Sequence, residues 1–300
     1  RSYTRRLEHQ PSIPMLPLDS SLIRLIQFAI REDVGTGDIT SDLCIPRDAT
    51  AAARFLMKQD GVVCGLPMLT LVFREFSSDV DIELKVSEGD MISSGTVIAT
   101  VEGPAHALLA GERTALNFIQ RMSGVATKTR SYVERIAGTK ARILDTRKTI
   151  PGWRLLDKYA TVIGGALNHR VGLFDMVMIK DNHITACGGI REAVETVVAE
   201  LRDRPMMKVE VEARSLDDVH EILTCTGVHR VMFDNFTPGL VAEGVRLVNG
   251  RLETEASGGI TYENIRDYAE AGVDFISVGA ITHSATALDI SMKLFVPKQG

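Results

Sequence analysis

Long apolar runs are missing from this sequence of 300 residues. No run approaches the roughly 20 residues that cross a bilayer, and the basic, proline-containing start lacks the apolar core of a secretory signal. We therefore expect no membrane segment. A cytoplasmic location is expected, or an organellar one if the predicted N-terminal arm, 1–18, is the remnant of a transit peptide.

Cysteine pairs and a positive net charge are missing as well. The four cysteines are widely spaced and form no CxxC pair, which excludes a zinc-finger pattern and a dense disulfide framework and favours a reduced setting. The net charge is −5, whereas nonspecific nucleic-acid binding depends on Lys and Arg that neutralise phosphates. We expect no nucleic-acid partner.

Positive charge is concentrated in one stretch, 142–183. It holds seven Lys and Arg residues against four Asp residues, in a chain whose total is negative. A local positive excess of this kind predicts a pocket for an anion. The stretch is the centre of the interpretation that follows.

The first third of the chain predicts a small α/β domain. A helix is expected over 19–33 and another over 67–76, with a polar loop over 32–42. Strand-like runs lie at 52–58, 62–64, 81–86 and 96–101. The turn at 87–90 is similar to the hairpins of lipoyl and biotinyl carriers, but no Lys for a prosthetic group lies between Lys85 and Lys128, so a structural role is favoured.

From 105 the pattern becomes helical. Helices are predicted over 105–124, ending at a glycine, and over 125–137. Arg113 lies among apolar neighbours in the first of these helices, where a cation normally has a partner. On position alone, a pair with Glu112 or a side chain that reaches solvent is the simplest interpretation.

After Arg142 strands and helices alternate at short spacing, which indicates parallel strands joined by right-handed crossovers. Strand-like runs lie at 142–146, 175–180, 207–212, 230–234, 252–256 and 274–278, and helices are expected at 153–163, 188–202, 215–224, 238–248 and 261–271. Six strands are fewer than the eight of a complete barrel. We predict an incomplete (β/α) barrel.

Every predicted strand of this part ends in a charged residue or a small-residue turn, which favours an active site at that rim. Ser257-Gly258-Gly259 and Val278-Gly279-Ala280 follow the last two strands. Their glycines, before expected helices with Thr261 as a candidate cap, predict a phosphate site.

Three carboxylates follow the middle strands. Glu210 and Glu212 alternate by two and so share a face, and Asp234 lies one strand further on. Carboxylates beside phosphates predict Mg²⁺, although Glu212 is equally well explained by a salt bridge to a barrel lysine. Lys180 is predicted to be a charged contact for an anion, with Schiff-base chemistry as the alternative.

Nine ordered blocks from about Leu22 to Leu294 resemble the quinolinate phosphoribosyltransferase family, the decarboxylating enzymes of de novo NAD synthesis. The blocks are GDIT (37–40), ERTALNF-Q-MSG-AT (112–127), DTRKT-PG-R (145–154), NHR-GL-D (168–175), IKDNHI (179–184), VEVE (209–212), DN (234–235), EASGG (255–259) and SVGA-TH (277–283). Trp153 and Ala166-Leu167 depart from the family pattern at positions that are not expected to bind substrate.

The resemblance implies an N-terminal α/β sandwich domain, 19–124, whose outer layer residues 284–300 could complete, and an incomplete TIM-like barrel, 125–283. It implies a homodimer or a hexamer, in which Arg113 is supplied across the subunit interface. It also implies a set of residues that bind the two substrates or Mg²⁺. The quinolinate contacts would be Arg113, Arg147, Lys148, His169, Arg170 and Lys180, the ribose or Mg²⁺ ligands Glu210 and Asp234, and the phosphate contacts Ser257, Gly258, Gly259, Val278, Gly279 and Ala280, beside Thr146.

The implied reaction transfers phosphoribosyl from phosphoribosyl pyrophosphate to quinolinate with loss of CO₂. Lys148, Lys180, Glu210 and Asp234 are the expected catalytic residues, and Mg²⁺ is the expected cofactor. Three alternatives remain open at this point: a phosphoribosyltransferase for nicotinate or a related acid, a Schiff-base lyase that uses Lys180, and a non-catalytic protein that binds phosphorylated metabolites.

Overall fold

The computed structural model describes residues 15–16, 18–204 and 206–295. The predicted N-terminal arm lies almost entirely outside these residues. The chain divides into two compact units, of which the first comprises Arg1–Ser123 with Leu288–Gly300 and the second Gly124–Ala287.

The first unit is built around an antiparallel sheet of four strands. Its strands β1 (Thr50–Met57), β3 (Asp81–Leu84), β5 (Val97–Pro104) and β12 (Ile290–Phe295) stand in the order β12-β1-β5-β3. The C-terminal strand β12 pairs antiparallel with β1. A two-stranded sheet pairs β2 (Gly61–Val62) with β4 (Met91–Ile92).

Two helices of the first unit begin at a side-chain cap, and a third has a proline in its first turn. Helix α1 (Ser20–Val34) starts where the Asp19 carboxylate accepts the N–H groups of Ser21 and Leu22, and α3 (Leu66–Arg74) has proline in its first turn. The loop predicted at 32–42 is wrong in its second half. There α2 (Ile39–Cys44) forms because the side chain of Asp38 caps it.

A single long helix, α4 (Ala105–Arg135), begins in the first unit and ends in the second. The predicted break at Gly124 is wrong. A Cβ atom at this position would lie 2.1 Å from the carbonyl oxygen of Thr286, so the glycine is explained by close packing of backbone against the helix.

The second unit contains six parallel strands in the order β6-β11-β10-β9-β8-β7. They are β6 (Arg142–Leu144), β7 (Val177–Ile179), β8 (Val209–Ala213), β9 (Arg230–Asp234), β10 (Glu253–Ser257) and β11 (Phe275–Ser277). Their apolar side chains form the core with Val211, Val231 and Ile276, which are fully buried. The prediction of an α/β fold with an incomplete barrel is confirmed.

Helices connect these strands and cover the sheet. They are α5 (Arg154–Ile163), α6 (Asp181–Cys187), α7 (Ile190–Glu200), α8 (Leu216–Ile222), α9 (Pro238–Val248), α10 (Ile265–Glu270) and α11 (Ala280–His283). Helix α6 was not predicted, and α10 starts later than expected because Asn264 is its N-cap. Within the described ranges, no helix combines the length and apolarity needed to cross a membrane.

Candidate active site

A cavity of about 640 Å³ opens in the second unit at the carboxyl ends of the barrel strands. Each of the six strands or the loop directly after it contributes to the wall, as parallel barrels generally arrange. The lining residues are Thr146, Arg147, Lys148, His169, Arg170, Met178, Lys180, Glu212, Met232, Asp234, Asn235, Ser257, Gly258, Gly259, Ile260, Thr261, Ser277, Gly279, Ala280 and His283.

Cations form one wall of this cavity. Arg147 and Lys148 follow β6, Arg170 belongs to the loop before β7, and Lys180 follows β7. Burial lowers the pKa of Arg170, and the neighbouring Arg147 lowers it further. Two cations that disfavour each other in this way are suited to hold an anion between them.

Lys180 has a partner within the wall. Its Nζ donates to Glu212 Oε2 at 3.2 Å, which is the ion pair that offered the structural explanation for Glu212. The side chain of Glu212 is 8% exposed and that of Lys180 42%.

Glycines shape the opposite wall, which was predicted to hold phosphate. Gly258 has φ +93°, and a Cβ atom there would lie 2.3 Å from Asn235 Oδ1. Asn235 itself has φ 59°, and its N–H donates to the carbonyl of Ser257 at 2.8 Å. The expected helix starts only at Ile265, and Thr261 bonds the turn before it: its N–H donates to the side chain of Asn264 and its carbonyl accepts the N–H of Ile265.

The loop after β11 packs against the loop after β6. A Cβ atom on Gly279 would lie 3.0 Å from Lys148 Cδ, and the Thr282 hydroxyl donates to the carbonyl of Lys148 at 2.9 Å. Gly279 therefore leaves room for the lysine side chain beside the cavity. This links the phosphate wall to the cationic wall.

Beneath the cavity lies a buried charged cluster of His169, Glu210, Glu255 and Arg230. His169 Nε2 is 3.1 Å from Glu210 Oε2 and 3.5 Å from Glu255 Oε1. Arg230 Nη1 donates to Glu255 Oε2 at 2.8 Å, and the Ser277 hydroxyl also donates to Glu255. Both carboxylates are completely buried.

Burial and neighbouring charges shift the pKa values of this cluster. Burial disfavours a charged His169, but Glu210 and Glu255 outweigh it and raise the pKa of His169 to about 9. Burial, with Glu255 next to it, raises the pKa of Glu210 to about 7. Burial also acts against the charge on Glu255, yet His169 and Arg230 hold its pKa below the ordinary value.

Contacts on both sides of the His169 ring affect its protonation state. The N–H of Arg170 donates to His169 Nδ1 at 2.7 Å, which is the pattern of a neutral ring, whereas the two carboxylates favour the charged ring. The carboxylates outweigh the Nδ1 contact, and the ring is charged. The Nδ1 contact joins two neighbouring residues and follows from the local backbone. In either state Nε2 carries a proton and faces Glu210.

A buried ion pair holds the main chain of His169 from the other side. Lys158 Nζ donates to Asp145 Oδ1 at 2.6 Å and to the carbonyl of His169 at 2.9 Å. Asp145 Oδ1 also accepts the N–H of His169 at 2.8 Å. Burial raises the pKa of Asp145 to about 6, against the opposing effect of Lys158.

Twelve of the fifteen predicted site residues line the cavity, and three do not. Glu210 is buried beneath the cavity and does not line it, although a direct contact with ribose or Mg²⁺ was expected for it. Glu212 lines the cavity instead. Val278 is buried behind the glycine turn. Arg113 is exposed on α4 in the first unit.

The cavity also contains polar residues that the sequence did not single out, among them Asn235, Ser277 and His283. Asn235 has one usable signal, since it directly follows a charged strand end and adopts a positive φ that Asn tolerates better than most residues. Ser277 and His283 lie in the block 277–283 that carries part of the family resemblance, but no chemical role was assigned to them.

Two groups of side chains could hold a cation. Among the described residues, His169, Glu210 and Glu255 are the group whose donor atoms converge, but Arg230 and Ser277 already bond Glu255, and Mg²⁺ prefers oxygen donors with several waters. Glu212 and Asp234 line the open cavity. These two carboxylates are oxygen donors beside the space where substrate phosphates could complete the shell of Mg²⁺, and Mg²⁺ there would compete with Lys180 for Glu212.

The fold and the cavity define an α/β-barrel enzyme site for anions, with cations on one wall and a glycine-lined cradle on the other. Comparisons with known proteins narrow this class. The domain families described as quinolinate phosphoribosyl transferase, N-terminal domain and C-terminal domain match residues 38–123 and 125–293. The chain belongs to the quinolinate phosphoribosyltransferase family.

Individual relatives agree along most of the chain. A Nicotiana tabacum protein named quinolinate phosphoribosyltransferase [decarboxylating] 1b is 45% identical, covering 90% of this chain and 81% of the relative. A Bacillus subtilis protein named probable nicotinate-nucleotide pyrophosphorylase [carboxylating] is 43% identical, covering 90% and 92%. The solved nicotinate-nucleotide pyrophosphorylase from Francisella tularensis has a TM-score of 0.88 at 37% identity, covering 96% and 100%.

Proposed function

We propose that this chain is a decarboxylating quinolinate phosphoribosyltransferase, which converts quinolinate and phosphoribosyl pyrophosphate into nicotinate mononucleotide, CO₂ and pyrophosphate. The observation that carries the proposal is that Arg147, Lys148, Arg170 and Lys180 line the same cavity as the Ser257–Gly259 turn. The family membership supports the same activity.

Both substrates are strongly anionic and repel each other, and the cations of the wall would offset this repulsion. Quinolinate has two adjacent carboxylates, which Arg147, Lys148, Arg170 and Lys180 would bind through charge-assisted hydrogen bonds. Such bonds contribute about 1.5–3 kcal/mol each. His169, held in its tautomer from below, would orient the acid so that the ring nitrogen faces the ribose.

The opposite wall would hold the sugar phosphate. The turn at Gly258 would let the backbone approach the phosphate, and its glycine is also needed because a side chain there would collide with Asn235. Asp234 and Glu212 would face the ribose and favour the positive charge that develops at C1 when the ring nitrogen attacks and pyrophosphate leaves. Mg²⁺, held by these carboxylates, would supply charge neutralisation for the pyrophosphate.

Decarboxylation follows from the first step. Once the ring nitrogen is bonded to ribose it is cationic, and it stabilises the electron pair that remains on the adjacent carbon when CO₂ departs. A proton then replaces the lost carboxyl group on that carbon. The residues around the cavity need only hold the remaining carboxylate, and no covalent bond to Lys180 is required.

One assay tests the activity against its alternatives. Purified protein is incubated with quinolinate, phosphoribosyl pyrophosphate and Mg²⁺, and both CO₂ and nicotinate mononucleotide are followed. Equal turnover of nicotinate without CO₂ would favour the phosphoribosyltransferase for nicotinate. Trapping of Lys180 by borohydride would favour the lyase, and binding of both ligands without turnover would favour a binding protein.

We further propose a homodimer or a hexamer in which Arg113 of one subunit completes the cavity of another. Arg113 is exposed on α4 and is not among the residues that line the cavity of its own chain, which supports this idea. Arg113→Ala and Lys148→Ala should each be nearly inactive and should regain activity when mixed under conditions of subunit exchange. Exchange without recovery would refute the shared site.

The compartment of the protein is a separate question. Relatives from Arabidopsis thaliana and Nicotiana glauca are named as chloroplastic and mitochondrial forms, and these names support the organellar alternative to a cytoplasmic location. Fractionation of cells that express the full-length protein with a C-terminal tag would separate the two.

A further inference from the structure

The six-stranded sheet ends in β6 on one side and in β7 on the other, and no strand ladder within the described ranges joins these two edges. Residues 166–170 run beside the free edge of β6, where Leu167 forms a single parallel bridge with Leu144. Only two backbone hydrogen bonds accompany this bridge, from Leu167 to Ile143 and from Asp145 to Leu167. The sheet therefore holds this segment by few bonds. The same segment carries His169 and Arg170, which line the cavity and need fixed positions.

The Asp145–Lys158 ion pair supplies the support that the sheet lacks. Its side chains are 0% and 3% exposed, and together they bind the N–H and the carbonyl of the same residue, His169. Asn168, with its amide oriented for hydrogen bonding, adds a bond from Nδ2 to Asp145 Oδ2 at 2.8 Å. A buried ion pair is costly unless further hydrogen bonds satisfy its charged groups. Here those hydrogen bonds are made with Asn168 and His169, in the segment that lines the cavity.

The pair also connects the two groups of cations that were assigned to quinolinate. Asp145 directly precedes Thr146, Arg147 and Lys148, and its partner Lys158 holds His169 and hence Arg170. The spacing of Arg147 and Arg170 thus depends on the contacts that Asp145 and Lys158 make with each other and with His169, beside the two backbone bonds of Leu167. A monocarboxylate needs only one of the two cation groups, whereas adjacent carboxylates need both at a set distance.

We propose that Asp145 and Lys158 are positioning residues, which set the spacing of the two cation groups and thereby select a vicinal dicarboxylate over a monocarboxylate. The inference rests on the proposed function. It differs from a purely structural role in one measurable respect. Loss of the pair should weaken recognition of quinolinate selectively and leave phosphoribosyl pyrophosphate, whose cradle lies on the loops after β10 and β11, nearly unaffected.

Three variants test the proposal. Lys158→Met keeps the length of the side chain but leaves Asp145 buried without its partner, so the double variant Asp145→Asn/Lys158→Met removes both charges and guards against failure to fold. Lys140→Met is the matched control, since Lys140 forms a 2.7 Å ion pair with Asp274 away from the cavity. The KM values of both substrates, kcat and the melting temperature are measured for each protein.

For the folded double variant we expect the KM of quinolinate to rise about tenfold or more, because displacements on the order of 1 Å in a site have effects of this size. The KM of phosphoribosyl pyrophosphate should change less than about threefold. The preference for quinolinate over nicotinate, measured as competing inhibitors or substrates, should fall by a similar factor. Lys140→Met should change none of these quantities.

Several results would overturn the proposal. An unchanged quinolinate KM in the folded double variant, an equal change in both KM values, or a double variant that does not fold would each assign the pair to stability alone. If the parent protein does not turn over quinolinate, the proposed function fails. The pair is then judged by calorimetric binding of benzene-1,2-dicarboxylate against benzoate, and an unchanged ratio in the variants refutes it.

Discussion

The stability of this protein should fall as the pH rises from about 6 to about 9, and the cause lies under the cavity. Glu210 and Glu255 raise the pKa of His169 from 6.5 to about 9, against the effect of burial. Because the pKa of His169 is higher in the folded than in the unfolded protein, the folded protein keeps this proton at pH values at which the unfolded chain has lost it. The contribution of the charged ring to the free energy of unfolding is therefore complete below pH 6.5 and is lost as the pH passes through about 9.

The size of the effect follows from the same two pKa values. Each pH unit over which the folded ring keeps a proton that the unfolded ring has lost contributes about 1.4 kcal/mol. The free energy of unfolding should thus decrease by at most about 3.5 kcal/mol across the window. This loss is a large fraction of the roughly 5–15 kcal/mol that stabilises a typical domain.

Urea unfolding at a fixed protein concentration and several pH values measures this slope. His169→Gln should lower stability at acidic pH and flatten the slope, since glutamine cannot titrate. His220→Gln is the control, because His220 is exposed on α8 and should retain the full slope. Parallel slopes for His169→Gln and the parent protein would refute the assignment of the proton to His169.

Three further substitutions test the walls of the cavity and the long helix. Glu212→Gln should lower kcat/KM for phosphoribosyl pyrophosphate about tenfold or more and raise the Mg²⁺ concentration for half-maximal activity; an unchanged Mg²⁺ titration would contradict it. In Gly258→Ala the new Cβ would meet Asn235 Oδ1 at 2.3 Å, at a residue with φ +93°. This substitution should reduce the free energy of unfolding by about 1–3 kcal/mol and raise the KM of phosphoribosyl pyrophosphate. Wild-type values in urea unfolding and kinetics would contradict the prediction. Gly124→Ala should destabilise by about 1–3 kcal/mol through its contact with Thr286, although alanine favours helices by about 1 kcal/mol; a higher melting temperature would contradict it.

Most strands of the second unit were predictable from the sequence because apolar runs of suitable length recur between helical segments. The runs at 230–234 and 252–256 correspond to β9 and β10 within one residue. The incomplete barrel followed from the number of such runs. Strand ends rich in charge or glycine were sufficient to place the cavity, since parallel strands bring their carboxyl ends to one side.

The two errors have different causes. Gly124 resembles the end of a helix, yet the helix continues, because the glycine is required by a neighbouring carbonyl and not by a turn. That contact, with Thr286, cannot be read from spacing along the chain. The helix at 39–44 begins at the local cap Asp38, which is a signal that the sequence does contain.

The choice between Glu210 and Glu212 shows what spacing leaves open. Alternation by two places both side chains on the same face of β8, and the strand rises about 3.3 Å per residue, so the two carboxylates lie at different depths of the barrel. The deeper one, Glu210, meets His169 and forms part of a buried charge cluster, while Glu212 reaches the cavity and pairs with Lys180. Depth depends on where β8 ends, at Ala213, and that boundary is set by the neighbouring strands. A carboxylate that contacts substrate and one that supports a histidine can thus share a motif, a strand and a face, and only their height in the barrel separates the two roles.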